Sequence, residues 1–269
     1  MIDVLDHGYV KLVDQMGSEL SIVNAARVSF SSESSSMSRR DIRLIQYLSK
    51  HGHMSPFRHV VFSFEVKAPL MVARQWMKYR VGSDHGPDTA ELLGIVVPKE
   101  VQDSFYELLR QLEWMPAGDD EGFGDRFYAR NEVSRRYVTL EPEWYIPDSN
   151  RWRSAPESKK QGSGDPVLED TGKVLTELLQ QGLRDGVLRY DEAMRLGVAP
   201  EQARGFLPSM YFLYTSWRWT ASLQAVMHFI DQRLVQDGAQ SEIREYARAV
   251  YEEVHSAFPN AFEALTTTI

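Results

Sequence analysis

The sequence predicts a single α/β domain in which helices dominate. Three observations carry that prediction. "HVVFSFEVKAP" alternates Val60, Phe62, Phe64 and Val66 on one face, the period-two pattern of a half-buried strand. "RRDIRLIQYLSKHG" spaces Ile42, Ile45 and Leu48 along one apolar helix face. From Val167 onward the chain reads as nearly all helix, closing with "QSEIREYARAVYEEVHSAF". At 269 residues the chain can bury a substantial core, and neither a repeat nor a linker divides it, so residues 1–269 are read as one domain.

In chain order, "DVLDHGYVKLVDQMG" predicts a strand pair or a strand and turn with glycines at the breaks, and "ELSIVNAARVSF" places Leu20, Val23, Ala26 and Val28 at mostly helical spacing. The serine-rich "SSESSSMS" predicts a flexible loop whose Ser38 caps the next helix, which stops at Gly52. After the strand, Pro69 opens "PLMVARQWMKYR" as a helix, because proline is tolerated in a first turn. Residues 84–129 read as an inserted module, with one amphipathic helix carrying Val101, Phe105, Leu108 and Leu112 and an acidic loop, "PAGDDEGFGD". The polar "SNRWRSAPESKKQGSGDP" predicts a mobile loop able to act as a flap. "FLPSMYFLYTSW" is the most apolar piece and predicts a buried helix, too short to span a bilayer.

Composition narrows the chemistry. A net charge of -8 argues against a general nucleic-acid binder, so a local arginine cluster points to a discrete small anion. The start "IDVLDHGYVKLVD" lacks the basic flank and apolar run of a secretory signal, so the expected compartment is the cytoplasm. The chain contains no cysteine, which removes disulfides, thiolate metal sites and thiol nucleophiles together. Histidines 51, 53 and 59 have no accompanying carboxylate set, and no metal site is expected. His53 and Ser55 read as loop donors beside a ligand or as surface polar groups.

Four stretches carry the candidate site. "ARNEVSRRYV" gathers Arg130, Arg135 and Arg136 around Glu132 and Ser134, either a phosphate cradle or an interface ion-pair network. "ARQWMKYR" predicts Gln75 sharing a helix face with Lys78 and Tyr79, either as ligand contacts or as a solvated cationic helix end that suits the helix dipole. "KHGHMSPFRH" holds the loop histidines. "ASLQAVMHFIDQR" sets Ser222, Gln224 and His228 amid apolar residues, and its Arg233 needs an anionic or carbonyl-rich partner.

These pieces, in this order, resemble the flavin-dependent thymidylate synthase family. "GYVKLVDQMG", "AARVSF", "LSKHGHMSPFRHVVFSFEVKAPLMVARQW" and "NEVSRRYV" carry the resemblance. The family signature, Arg-His-Arg with a serine three residues on and then Asn-Glu-x-Ser-x-Arg, reads here as Lys78-Tyr79-Arg80-Val81-Gly82-Ser83 and Asn131-Glu132-Val133-Ser134-Arg135-Arg136, separated by the insertion. The resemblance implies an α/β (α+β) fold of long helices on a small mixed sheet. It also implies C5-methylation of a uridine 5'-monophosphate, with methylenetetrahydrofolate as carbon donor and NADPH-reduced FAD as reductant. A homotetramer with shared active sites follows from the same likeness.

Carried over residue by residue, it assigns Glu132, Val133, Ser134, Arg135 and Arg136 to the nucleotide, with Arg204 adding a contact. Gln75 and Lys78 would reach that nucleotide from a neighbouring subunit. Arg233 would be the catalytic arginine that draws electron density from the uracil ring. His53, Ser55, Lys78, Tyr79, Arg80 and Glu132 fall at FAD positions, as do Ser222, Gln224 and His228. The departures are Lys78 and Tyr79 in the signature, and Ser222, Gln224 and His228 where the family tends to carry asparagine and arginine. They suggest a divergent member, similar either to the branch that methylates UMP in nucleoside-antibiotic pathways or to a phage or secondary thymidylate synthase. The competing reading is a non-catalytic nucleotide-binding homologue acting as a sensor or assembly subunit.

Overall fold

The alternating stretch becomes the centre of a sheet. In a computed structural model, described for residues 1–77, 79, 130–132, 142–156, 162–207, 210–236 and 238–266, five strands run in the order β1-β2-β3-β5-β4. They are β1 (Ile2–Val4), β2 (Gly8–Met16), β3 (Val61–Pro69), β4 (Arg130–Glu132) and β5 (Tyr214–Ser222). All four pairings are antiparallel. A register shift between Leu12 and Asp14 marks a bulge in β2. The expected strand pair at residues 2–16 is present, and Phe62, Phe64, Val66 and Ala68 of β3 are wholly buried.

The helices are α1 (Glu19–Arg27), α2 (Arg39–Lys50), α3 (Leu70–Trp76), α4 (Glu169–Arg195), α5 (Pro200–Ala203), α6 (Leu223–Ile230), α7 (Ser241–His255) and α8 (Pro259–Thr266). An aromatic column locks α3 and α6 onto the sheet. Trp76 stacks on Phe229 at 4.4 Å between centroids and meets Trp219 and Trp217 edge-on at 5.3 and 5.5 Å. Phe64 stacks on Trp219 at 5.4 Å. Among the described residues no helix is long and apolar enough to cross a membrane.

Several expectations need correction. The helical reading after Val167 missed β5, because "YTSWRWTAS" alternates Trp217, Trp219 and Ala221 inward with Arg218 and Thr220 less buried. "FLPSMYFLYTSW" is therefore a 3₁₀ turn at Met210–Phe212 running into that strand, and Phe206 and Tyr211 are exposed. The helix opened by Pro69 ends at Trp76, so Tyr79 does not continue its face. Pro69 itself closes β3 and precedes that helix's first residue. In α1 the buried face is Ile22 and Val23, while Val28 lies beyond its end, exposed. In α2, Ile45 and Leu48 are buried and Ile42 only partly. The 84–129 module lies outside the described residues.

The serine-rich loop is tied down. Asn24 brackets the backbone of Ser34, accepting its N–H at 2.8 Å and donating to its carbonyl at 3.1 Å. Ser38 caps α2 as expected, and Asp41 completes a capping box, accepting the Ser38 N–H at 2.8 Å and its hydroxyl at 2.6 Å. Arg27 lies 2.6 Å from the buried Asp41 carboxylate. The Ser38 hydroxyl foremost, with Ser34 and Arg27, holds the Asp41 carboxyl below the usual carboxylate range.

A depressed folded-state pKa contributes stability that is present above the unfolded value, about 4, and is lost as pH falls through the folded value. Asp41→Asn should therefore cost about 1–3 kcal/mol at pH 7 and lose less on acidification below pH ~4 than the wild type does. Urea unfolding at both pH values checks this; equal acid sensitivity of the two proteins would refute it.

The described flanks of residues 149–166, the expected flap, are tied down. Arg153 bridges to Pro166, the Ser154 N–H donates to the Asp165 carbonyl at 2.9 Å, and Arg151 reaches Glu245 at 2.6 Å. Trp152 donates its indole N–H to Thr176 on α4 at 2.9 Å. Residues 157–161 lie outside the described set.

Candidate functional site

The site is built outward from α6. β5 ends at Ser222, whose buried hydroxyl accepts the Ala225 N–H at 3.3 Å and caps the helix. Six of the helix's residues are buried, and Gln224 and His228, one turn apart, are the half-buried pair on its open face. The helix then widens into a π-turn, Asp231–Val235, where the Gln236 N–H donates to the Asp231 carbonyl at 2.8 Å. Arg244 of α7 braces this turn, donating to the carbonyls of Leu234 and Gln236 at 2.9 and 3.1 Å.

Arg233 emerges from that π-turn. Its guanidinium carbon lies 5.2 Å from the centroid of the Tyr79 ring, a cation–π contact. Tyr79, itself 6% exposed, meets Phe229 edge-on at 5.1 Å and lies 5.5 Å from His228. The Trp76–Phe229 column thus continues through Tyr79 to Arg233. Burial raises the Tyr79 phenol pKa, with the Arg233 charge pulling the other way, so the ring stays neutral beneath the cation. The Arg233 Nε is buried with no hydrogen-bond partner, a costly state that an acceptor-bearing ligand would relieve.

His53 and Ser55 approach from the other side. The 3₁₀ turn Ser55–His59 packs on α6, and the Leu223 N–H donates to the Val60 carbonyl at 2.8 Å. His53 is exposed, its ring stacked at 6.2 Å on Tyr47. From that turn Arg58, which the sequence reading did not single out, donates its Nε to Gln224 Oε1 at 2.7 Å. The chain thus brings Arg58, Gln224, His228, Tyr79 and Arg233 into one linked row.

Gln75 joins a different set. Its amide donates to the Met71 carbonyl at 3.3 Å and to Gln240 Oε1 at 2.6 Å. Both line an open depression of about 620 Å³ with Met71, Arg74, Met77, Tyr211 and Phe212. Arg74 donates to the Tyr211 hydroxyl at 3.0 Å and lies over that ring. Arg204 begins a 3₁₀ turn packed on α4, and its Nε is buried without a partner. Glu132 is described for its backbone alone, paired with Trp217 across β4 and β5. Lys78, Arg80, Val133, Ser134, Arg135 and Arg136 lie outside the described residues. Among those described, no group of His, Asp and Glu gathers as a metal site.

The arrangement offers a guanidinium aimed by an aromatic support, beside an open polar helix face. A dinucleotide cofactor fits that donor set: Gln224 and His228 on the helix, with Arg58 and Ser55 of the turn packed on it, supply hydrogen-bond and charge partners. Arg58, Arg244 and Gln240 were missed because nothing in their local spacing distinguishes them. Arg58 and Gln240 bond to residues 166 and 165 positions away, while Arg244 braces backbone carbonyls eight and ten residues before it.

Comparisons with known proteins bear on this surface. A family model described as "Thymidylate synthase complementing protein" matches residues 11–85 and 124–260. A flavin-dependent thymidylate synthase of Thermus thermophilus is 36% identical over 263 residues, spanning 98% of this chain and 77% of that protein. That of Thermotoga neapolitana is 35% identical over 266 residues, spanning 98% and 93%. The crystal structure of the UMP/dUMP methylase PolB from Streptomyces cacaoi bound with 5-Br UMP covers 99% of this chain and 96% of its own, with a TM-score of 0.70 at 23% identity. At that identity the likeness is one of fold.

Proposed function

Since this chain belongs to the flavin-dependent thymidylate synthase family, we propose that it methylates C5 of a uridine 5'-monophosphate, UMP, dUMP or both. Methylenetetrahydrofolate is the carbon donor and NADPH the source of reducing equivalents. The enzyme works as a homotetramer with active sites shared between subunits. The observation that carries this reading is Arg233, a guanidinium with an unsatisfied buried Nε, seated on Tyr79 at 5.2 Å.

In this reading the residues bind and polarise. Arg233 donates to an acceptor oxygen of the uracil ring, withdrawing electron density and favouring loss of the N3 proton. Gln75, Lys78 and Arg204 hold the nucleotide with Glu132, Val133, Ser134, Arg135 and Arg136, whose arginines match its phosphate oxygens. His53, Ser55, Tyr79, Ser222, Gln224 and His228 hold the flavin with Lys78, Arg80 and Glu132. When bound and reduced, FAD supplies the electrons of the reaction. The chain has no thiol to add to the pyrimidine, which suits a route that needs none. The division of Gln75 from Arg233 into two sets on one chain supports sites completed by a neighbouring subunit.

Purified protein should take up FAD, turn yellow, and bleach on addition of NADPH. With methylenetetrahydrofolate it should convert dUMP or UMP to the 5-methyl nucleotide, read by mass spectrometry. Flavin uptake without methyl transfer to either nucleotide would favour the non-catalytic reading. A protein that takes up no flavin would refute the proposal.

A further inference from the structure

The two sides of α2 differ in charge. Its buried side carries Ile45 and Leu48 with the helix's one carboxylate, Asp41, which Ser38 and Arg27 already hold. Arg39, Arg40, Arg43, Tyr47 and Lys50 are exposed, and their spacings of three, four and seven residues set them on one face. Among the described residues, none of these four cations has an ion-pair or side-chain hydrogen-bond partner. At the helical rise per residue the stripe is roughly 16 Å long. It reverses the local sign of a chain whose net charge is -8. Its C-terminal end meets the candidate site: Tyr47 lies against His51 at 4.4 Å between ring centroids and stacks with His53 at 6.2 Å.

We propose that this stripe binds the glutamate tail of the folate substrate, in the form that carries a run of γ-linked glutamates. This rests on the folate reading given above. Charge and shape select that ligand. The nucleotide and the flavin present compact phosphates, whereas each added γ-glutamyl unit brings one more carboxylate along an extended chain. Cations spaced along a helix face match such a row, and a folate lying near His53 can run its tail out along α2. The stripe is open to solvent, so it supplies affinity that salt screens, and it touches no reacting atom.

The test compares methylenetetrahydrofolate bearing a single glutamate with the form bearing about five, by KM and by titration calorimetry on the FAD-loaded protein. The wild type should bind the long-tailed form about tenfold more tightly at low salt, since exposed ion pairs are weak singly and act here together. Raising the salt to about 0.5 M should remove most of that preference. Arg39→Glu/Arg43→Glu/Lys50→Glu should abolish it, while kcat and the KM for the short-tailed form stay within about twofold of wild type. The milder Arg43→Gln/Lys50→Gln should lose part of it and serves if the reversed variant does not fold. Equal affinity of the wild type for the two folates, or a preference that survives charge reversal, overturns the proposal. A stripe that shows no tail preference but whose reversal changes the mass of the assembly in light scattering is a contact between copies, which also overturns it. Equal binding of both folates sinks this inference alone; a wild type that binds neither folate sinks the folate reading with it.

Discussion

Arg233→Ala should lower the rate of methyl transfer about 10²–10³-fold, the range seen when a single donor aimed at developing charge is removed. The reason lies in how the side chain is held. The π-turn Asp231–Val235 delivers it, Arg244 braces that turn, and Tyr79 supports the guanidinium from below. Such a group is pre-aimed, so its interaction is available to the transition state without reorganisation. Nucleotide affinity should fall by only about tenfold or less, because in the proposed reading other residues hold the phosphate and sugar. Arg233→Lys should restore little, since an ammonium lacks the planar fork. Steady-state rates with product read by mass spectrometry, beside nucleotide titration calorimetry, separate the two effects. A variant retaining more than about a tenth of the wild-type rate would show that Arg233 is not the polarising group.

The second large effect concerns stability. Glu19→Ala should destabilise the protein by about 3 kcal/mol. The Glu19 carboxylate is 6% exposed and accepts three hydrogen bonds at the start of α8: from the Asn260 N–H at 2.7 Å, the Asn260 side-chain amide at 2.5 Å and the Ala261 N–H at 3.0 Å. It also stands in the first turn of α1, so two helix N-termini favour its charge. Truncation leaves the N–H groups of α8 buried without an acceptor, and α8 packs on α2. Glu19→Gln keeps one acceptor oxygen and should cost only about 1 kcal/mol. Chemical unfolding of the three proteins measures this. Equal losses for alanine and glutamine would mean that the charge alone matters; no loss for alanine would remove the anchor altogether.

Much of the scaffold could be read in advance because its signals are local. Val60 to Val66 alternate, so burying one face makes a strand whatever else surrounds it. Ser38 and Gly52 carry the capping chemistry of α2 within a few residues of its ends. β5 escaped because its aromatic-rich run has no glycine or proline to bound it, and a short apolar run is ambiguous between helix and strand. The end of α3 at Trp76 escaped for another reason. "MKYR" consists of helix-tolerant residues, so no local breaker marks the end of the helix.

The site divides along the same line. By itself, the sequence determined which chemistry is available. It supplies arginines in an acidic chain, polar residues on the apolar helix after Ser222, and no thiol. Only the tertiary structure decided that Gln75 pairs with Gln240, that Arg58 bonds to Gln224, and that Arg233 rests on Tyr79. Those pairings join segments far apart in the chain, where side-chain spacing says nothing. They are set by how the sheet stacks its aromatic face against α3 and α6, a packing solution that no local pattern encodes.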